Sequence, residues 1–278
     1  MTVAESLPGK PIAANGLKFH VVDEGSGDDA VVLLHGFPDS SSMWRNQITA
    51  LTGAGFRVIA PDLRGYGDSD KPEGVENYAM HLLVQDVNGI MDALGVERAH
   101  IVGHDWGAAL AWAFAGNLPG RTRTLTALAV GHPRAFLRSM LTSGQAARSW
   151  YMGLFRIPGF SERVLSRNDF SLFRRGLQSP DVDRNIELMS RPGALTAGLN
   201  WYRANIKPLR PPRAPNVTAP TMGVWGSKDP ALGEKQMRES ANFVDGPFRF
   251  ERVETGHWMM LTRPDEINAL LLDFLRTP

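Results

Sequence analysis

Short apolar runs alternate with amphipathic stretches along the first half of the chain. Residues 17–25 alternate between apolar and polar positions, whereas "AVVLLHG" and "FRVIAPD" are continuous apolar runs typical of buried parallel strands. Between these two runs, residues 41–55 end in glycine, as a helix often does. In residues 78–95, apolar side chains fall on one helical face, namely Leu83, Val87, Ile90, Met91 and Leu94. The pattern predicts strands and helices in alternation.

Two further strands are predicted, "AHIVGHD" at 99–105 and "TLTALAV" at 124–130. The β-α-β-α order indicates an α/β fold, in which a mostly parallel sheet is flanked by helices on both faces. In such sheets, binding and catalytic groups gather at the carboxyl ends of the strands. We therefore expect the functional site at that edge.

The pattern changes after residue 130, where arginines, aromatic residues and helix-like segments follow without a good strand. This part ends in the proline-rich residues 207–220, which we predict to be a stiff, extended linker. The alternation then resumes with the strand "TMGVWG", a helix over 232–243, the strand "FRFERV" and a last helix from Pro264. We predict three parts: a first core part (1–132), a helical cap inserted after the sixth strand (133–213) and a second core part (214–278).

Composition narrows the classes of partner. Thirty basic and 29 acidic residues give a net charge of +1, which offers no reason to propose nucleic acid, an anionic membrane or a strongly charged substrate. We interpret the many arginines of the predicted cap as a solvated face. Cysteine is absent, which suits a reducing cytosol, and no apolar run approaches the roughly 18 residues of a membrane span. We expect a cytoplasmic monomer or homodimer that acts on a small, mostly neutral molecule.

The stretch "VGHDWGAAL" has the G-x-[nucleophile]-x-G spacing of a nucleophile elbow, with Asp105 at the position where serine is expected. The predicted helix begins directly afterwards, and its free N–H groups favour a carboxylate anion. An ordinary helix N-cap is the alternative, because aspartate is common there. As a nucleophile, a carboxylate is suited to displacing a leaving group from saturated carbon and forming an ester.

Three other segments supply partners for Asp105. "HGFP" resembles the turn that forms part of an oxyanion hole, here from the backbone N–H groups of Phe37 and Trp106. His257 and Asp229 each follow a predicted strand. Taken singly, the histidine is more often structural and the aspartate a turn residue, but the order nucleophile, acid, histidine matches the α/β-hydrolase arrangement. No metal-binding spacing such as HExxH occurs, and we expect neither metal nor cofactor.

Five segments resemble α/β-hydrolases of the epoxide hydrolase family and together extend over nearly the whole chain: "HGFPDSSSMWRNQ", "PDLRGYGDSDKP", "GHDWGA", "LNWYRAN" and "GHWMMLTRPDEI". The resemblance implies an α/β-hydrolase fold and conversion of a small apolar epoxide to a vicinal diol, a reaction used in detoxification. Asp105 would form an alkyl ester, and His257, oriented by Asp229, would activate the water that hydrolyses it.

The predicted cap contains two tyrosines that match the ring-opening tyrosines of this family. Tyr202 lies in "NWYR", and Tyr151 lies at the matching distance before "PG". A phenol, with an ordinary pKa of about 10, stays protonated at neutral pH and can donate to an opening epoxide oxygen. Packing of amphipathic side chains is the alternative interpretation. We expect Phe37, Trp106 and Trp258 to line the apolar pocket.

The main alternative function is a haloalkane dehalogenase that uses the same Asp105 nucleophile. Such enzymes commonly carry asparagine where Phe37 stands, but the indole of Trp106 offers a hydrogen-bond donor for a halide. A third possibility is a ligand receptor that retains the fold. A complete set of nucleophile, acid and histidine argues against a receptor.

Overall fold

Eight strands form one sheet in the computed structural model, which describes residues 7–206 and 214–276. The strands are β1 Lys10–Ala14, β2 Leu17–Glu24, β3 Ala30–Leu34, β4 Arg57–Pro61, β5 Ala99–His104, β6 Thr122–Leu128, β7 Thr221–Gly226 and β8 Phe248–Val253. Their order across the sheet is β1-β2-β4-β3-β5-β6-β7-β8. Only the β1–β2 and β2–β4 pairs are antiparallel within the described chain. The predicted, mostly parallel sheet is therefore confirmed.

Helices follow most of the strands. In the described ranges they are α1 Arg45–Gly53, α2 Met80–Ala93, α3 Trp106–Asn117, α4 Pro133–Thr142, α5 Gln145–Arg148, α6 Trp150–Phe155, α7 Phe160–Gly176, α8 Val182–Ser190, α9 Ala194–Asn205, α10 Glu234–Arg238, α11 Met259–Thr262 and α12 Pro264–Leu275. Helices α2 and α3 pack together, as do α1 and α12. Their buried side chains belong to two separate hydrophobic clusters.

Strand β3 shows how the sheet divides the core into two layers. Val32 and Leu34 belong to the cluster that contains α2 and α3, whereas Val31 and Leu33 belong to the cluster that contains α1 and α12. All five residues of β3 are buried, since successive side chains of a strand point to opposite faces and helices cover both. This two-sided burial explains why the strand is a continuous apolar run in the sequence.

Helices α4–α9 lie between β6 and β7, and we call residues 133–205 the helical insertion. Its last helix, α9, is anchored to loops of the core. The Trp201 indole N–H donates to the Arg64 carbonyl at 3.0 Å. The Asn205 side chain accepts from the Met80 N–H at 2.8 Å and donates to the Tyr78 carbonyl at 2.9 Å. These bonds hold α9 against the segments that follow β4.

The structure differs from the predicted elements in three places. Strand β1 was not predicted, because it is an edge strand with mostly exposed residues that pairs only with β2. The first predicted helix begins as a 3-10 turn, Ser41–Trp44, and the helix predicted over 232–243 is α10 followed by the 3-10 turn Glu239–Phe243. Residues 207–213 of the predicted linker lie outside the described chain. Among the described residues, none of the helices combines the length and the hydropathy of a membrane span.

Candidate active site

Asp105 occupies a sharp turn between β5 and α3. Its backbone φ of 53° and ψ of −121° are rarely adopted by residues with a side chain. Neighbouring glycines make this turn possible. A Cβ on Gly103 would lie 2.2 Å from the Gly107 carbonyl oxygen, and one on Gly107 would lie 2.0 Å from the Leu34 carbonyl oxygen. A Cβ on Gly36 would lie 2.4 Å from the Asp105 Cβ, so the spacing of small residues reflects close approach of strand, helix and loop.

Hydrogen-bond donors surround the Asp105 carboxylate, whose side chain is only 15% exposed. The Phe37 backbone N–H donates to Oδ1 at 3.0 Å, and the Trp106 backbone N–H also bonds to this carboxylate. His257 Nε2 lies 3.7 Å from Oδ2. Burial alone would raise the pKa of Asp105, but the charge of His257 and the Trp106 N–H outweigh burial, and the pKa lies below its ordinary value of 3.8. Asp105 is thus held as an anion.

Asp229 fixes the orientation of the His257 ring. The His257 Nδ1 lies 2.7 Å from Asp229 Oδ2, and the Asp229 side chain is completely buried. The other carboxylate oxygen accepts from the backbone N–H groups of Ala231 at 2.8 Å and Leu232 at 3.0 Å. Burial raises the pKa of Asp229, yet the charge of His257 and these hydrogen bonds lower it more. Both oxygens are occupied, and Nε2 of His257 is turned toward Asp105.

His257 therefore lies between two carboxylates. Burial by itself would lower its pKa, but the charges of Asp229 and Asp105, with the hydrogen bond to Asp229, outweigh burial and raise the pKa to about 10. The resting site at neutral pH is an imidazolium flanked by two anions. Loss of the charge on either carboxylate would make this histidine a stronger acid.

Two tyrosines of the helical insertion lie close enough to Asp105 for its charge to affect them. The ring of Tyr202, on α9, lies 5.5 Å from that of Phe37 and 5.0 Å from those of Trp106 and Phe155. Burial, followed by the charge of Asp105, raises the pKa of Tyr202 well above 10. Tyr151 lies on α6, and its ring is 5.4 Å from that of Phe155. Burial, followed by the charges of Asp105 and Asp229, raises the pKa of Tyr151. The structure thus brings both predicted tyrosines into the electrostatic field of Asp105, and both stay protonated at neutral pH.

One buried carboxyl at this site was not anticipated. Asp39, 2% exposed, accepts from the Trp258 indole N–H at 2.9 Å, and the Trp258 ring packs 4.9 Å from the His257 ring. Burial raises the pKa of Asp39 to about 7, although Trp258 and Asn185 on α8 oppose the rise. A signal was present in the sequence, since Asp39 directly follows "HGFP". Trp258 therefore contacts both His257 and this carboxyl. That its ring lines the substrate pocket stays a prediction.

The neighbouring histidine, His104, has a supporting place. Its Nε2 lies 3.0 Å from the His257 carbonyl oxygen, and the two rings are 4.5 Å apart. Burial, with the adjacent charge of His257, lowers the pKa of His104 to about 3. His104 is therefore neutral at neutral pH and its Nε2–H donates to the segment that carries His257.

Comparison with known proteins agrees with this arrangement. A family profile described as alpha/beta hydrolase fold matches residues 29–264. The AB hydrolase superfamily protein YfhM of Bacillus subtilis is 36% identical over 276 residues, which cover 95% of this chain and 96% of that protein. Epoxide hydrolase A of Mycobacterium tuberculosis is 33% identical over 315 residues, with 95% and 96% covered. The crystal structure of an epoxide hydrolase from Bacillus megaterium in complex with an inhibitor superposes with a TM-score of 0.87, at 29% identity over 96% of this chain and 100% of that one.

The chain therefore belongs to the alpha/beta hydrolase fold family, and it is an enzyme of the hydrolase class. Within that fold family it is a member of the epoxide hydrolases, whose sequences and structures match it over nearly its whole length.

Proposed function

We propose that this enzyme hydrolyses epoxides to vicinal diols through an alkyl ester on Asp105. One juxtaposition supports the proposal above all others. The Asp105 carboxylate, held by the backbone N–H groups of Phe37 and Trp106, is faced by His257 from the core and by two protonated phenols from the helical insertion. Such a site offers a nucleophile, a proton donor and a base to one small molecule.

In the first step, a carboxylate oxygen of Asp105 attacks an epoxide carbon, and the carbon–oxygen bond of the ring breaks. The ring oxygen takes a proton from Tyr151 or Tyr202, since an alkoxide is too basic to leave unprotonated. Their raised pKa values keep both phenols in the donating form. The proton of the His257 imidazolium then restores the phenol, and no charge accumulates.

Formation of the ester also prepares the second step. The anion beside His257 is replaced by a neutral ester, which lowers the pKa of His257 and makes it a base. His257, oriented by Asp229, deprotonates a water that attacks the ester carbonyl carbon. The resulting oxyanion accepts from the Phe37 and Trp106 N–H groups. Collapse of this intermediate breaks the ester bond between the carbonyl carbon and the alkoxy oxygen, and the departing alkoxide takes the proton of the carboxylic acid formed on Asp105. The diol leaves, with Asp105 again an anion and His257 again an imidazolium.

We further propose that the helical insertion acts as a cap over the carboxyl ends of the strands. The supporting contacts are those of Phe37, whose ring packs against Tyr202, Phe155 and Phe173 of the insertion. An apolar epoxide would bind among these rings, with Trp106 on the side of Asp105. The cap boundaries at residues 133 and 213 remain predictions. That the enzyme needs no cofactor also remains a prediction.

Indole positions argue against the dehalogenase alternative. A departing halide needs N–H donors, and three indoles lie close to the site. The Trp201 N–H is bonded to the Arg64 carbonyl and the Trp258 N–H to Asp39. The remaining indole, that of Trp106, interacts with the hydroxyl of Tyr202. Two phenols, in contrast, are available for an epoxide oxygen.

The test begins with two substrates. Incubation with styrene oxide should yield the diol, and incubation with a bromoalkane should yield no bromide; Asp105→Ala is the control and should form no diol. Bromide release without diol would favour the dehalogenase, and formation of neither product over a broad panel would favour a receptor.

A single turnover in oxygen-18 water should place the label in the peptide that contains Asp105, because water attacks the ester carbonyl. Label found only in the diol would mean direct attack of water on the epoxide.

A further inference from the structure

The helical insertion has an unusual surface. Among the described residues, all large hydrophobic side chains that are exposed lie in the segment from α4 to α7: Leu137, Leu141, Trp150, Ile157, Phe160 and Leu172. Single exposed apolar residues are normal on any protein, but a concentration in one segment marks an interaction site.

Three of these residues lie close together along the chain, and we call Trp150, Ile157 and Phe160 the outer apolar edge. Trp150 begins α6 and is 66% exposed, while Tyr151 and Phe155 of the same helix pack together toward the site. Ile157, 51% exposed, lies on the connection from α6 to α7, and Phe160, 48% exposed, is the first residue of α7. One short helix therefore presents a candidate catalytic tyrosine inward and a tryptophan to solvent.

The same segment concentrates positive charge. Residues 133–176 contain eight arginines and two acidic residues, a net charge of +6, whereas the whole chain carries +1. The rest of the chain therefore carries a net charge of −5. The nearly neutral total, which gave no reason to consider an anionic surface, conceals this asymmetry.

Many of these charges lack a partner. The side chains of Arg156, Arg163, Arg167 and Arg175 are exposed, and none forms an ion pair or hydrogen bond with the described part of the chain. Glu162, which lies beside Phe160, does not neutralise them, since Arg203 of α9 binds both of its oxygens. Arg156 directly precedes Ile157 in the sequence, and Arg163 follows Phe160 by three residues.

We propose that the outer apolar edge docks on the surface of an anionic lipid bilayer. Tryptophan, isoleucine and phenylalanine would enter the interface between headgroups and acyl chains, and the unpaired arginines would bind lipid phosphates and carboxylates. A second copy of the chain fits less well, because a symmetric contact would place two segments of charge +6 against each other. Docking would present α6, and with it the side of the site that carries Tyr151, to molecules dissolved in the bilayer.

The test measures binding of the full-length protein to vesicles, without substrate. Vesicles of phosphatidylcholine with about 30 mol% phosphatidylserine should sediment the protein, and vesicles of phosphatidylcholine alone should not. Arg156→Gln with Arg163→Gln should weaken binding about 25-fold, roughly fivefold for each charge. The matched control is Arg252→Gln with Arg263→Gln, which removes two exposed arginines that lie outside the helical insertion and should leave binding unchanged.

Tryptophan fluorescence reports the orientation. Trp150 is the exposed tryptophan of the seven, so brominated lipids should quench its emission in the bound state, and Trp150→Phe should lose that quenching while still binding. Trp150→Ser with Phe160→Ser should abolish binding, with an unchanged circular dichroism spectrum as evidence of folding.

Equal binding to neutral vesicles, equal weakening by the control pair, or no binding at all would overturn the proposal. A lipid-free dimer that the serine pair dissociates would instead assign the edge to a second copy. These outcomes are independent of the proposed function, because no epoxide is present.

Discussion

The charge on His257 should depend on Asp105, and Asp105→Asn tests this dependence. The substitution replaces an anion by a neutral amide of almost the same shape, as ester formation would do. His257 should then lose part of the support that raises its pKa to about 10. The variant is thus a stable imitation of the electrostatic state that follows alkylation.

The size of the effect follows from one distance. His257 Nε2 and Asp105 Oδ2 are 3.7 Å apart, and two unit charges at that separation attract each other by roughly 4 kcal/mol at an effective dielectric constant of about 20. This energy corresponds to about three powers of ten in proton affinity. The pKa of His257 should therefore fall from about 10 to about 7 in Asp105→Asn, while Asp229 remains bound to Nδ1.

Nitrogen-15 NMR of histidine-labelled protein measures this change directly. The chain has seven histidines, and the spectrum of His257→Gln identifies the signal that belongs to His257. Asp265→Asn, which removes an exposed carboxylate in the first turn of α12, is the control and should leave the titration of His257 unchanged. A decrease of less than about one in the pKa of His257 would refute the reasoning, since it would mean that solvent screens the pair almost completely.

Stability provides a second readout with a definite sign. A group whose pKa is raised by folding stabilises the native state fully below its ordinary value, 6.5 for His257, and this contribution disappears as the pH rises through the folded value. The wild-type protein should therefore lose unfolding free energy between pH 7 and pH 10. Asp105→Asn should lose little in that window, because the pKa of its His257, about 7, would lie close to the ordinary value of 6.5.

Three further outcomes are expected. His257→Gln, given an epoxide, should accumulate the ester, seen as a mass increase on the peptide that contains the nucleophile; failure to alkylate would give the histidine a different role. Tyr151→Phe and Tyr202→Phe should each slow ring opening, and the double variant should lose about 10²–10⁴-fold in kcat, so a fully active double variant would remove the phenols from the mechanism. Asp86→Ala should cost about 3–5 kcal/mol in urea unfolding, because Arg64, only 5% exposed and bonded to both oxygens of Asp86 at 2.6 and 2.7 Å, would remain buried without its counter-charge. An Asp86→Ala loss below about 1 kcal/mol would show that water reaches the guanidinium.

Much of the fold is predictable because the sheet is buried on both faces. Strand β7 coincides with the run "TMGVWG", and all six of its residues are buried, since burial on two sides requires an uninterrupted apolar stretch or close to it. Strand β8 coincides with "FRFERV"; it is an edge strand with mostly half-buried residues, and apolar and charged residues alternate over its first four positions. The edge strand β1, Lys10–Ala14, was not predicted, because exposed positions need not be apolar and most of its residues are exposed. An Asn-Gly pair at residues 15 and 16, between β1 and β2, was the available signal for a hairpin.

The site divides in the same way. The proximity of Asp105, Asp229 and His257 could be predicted, because each follows a strand at a local turn that leaves a mark in the sequence, whereas their catalytic roles stay predictions. The charge on His257 was not, since it results from two carboxylates supplied by separate segments at 2.7 and 3.7 Å. Nor was the pKa of Asp39, near 7, which depends on burial by α8 and on Trp258. Distances across the fold set such properties, and a linear sequence does not contain them.

The unequal anchoring of the two tyrosine-bearing helices has a dynamic consequence. Nine of the twelve residues of α9 are buried, but α6 buries only Phe155 among its six. Local unfolding therefore costs less free energy at α6, and its amide hydrogens should exchange with deuterium well before those of α9. Each such opening displaces Tyr151 and leaves Tyr202 in place. Molecules would then enter and leave on the α6 side, at a frequency set by the fraying of one short helix and not by motion of the whole insertion.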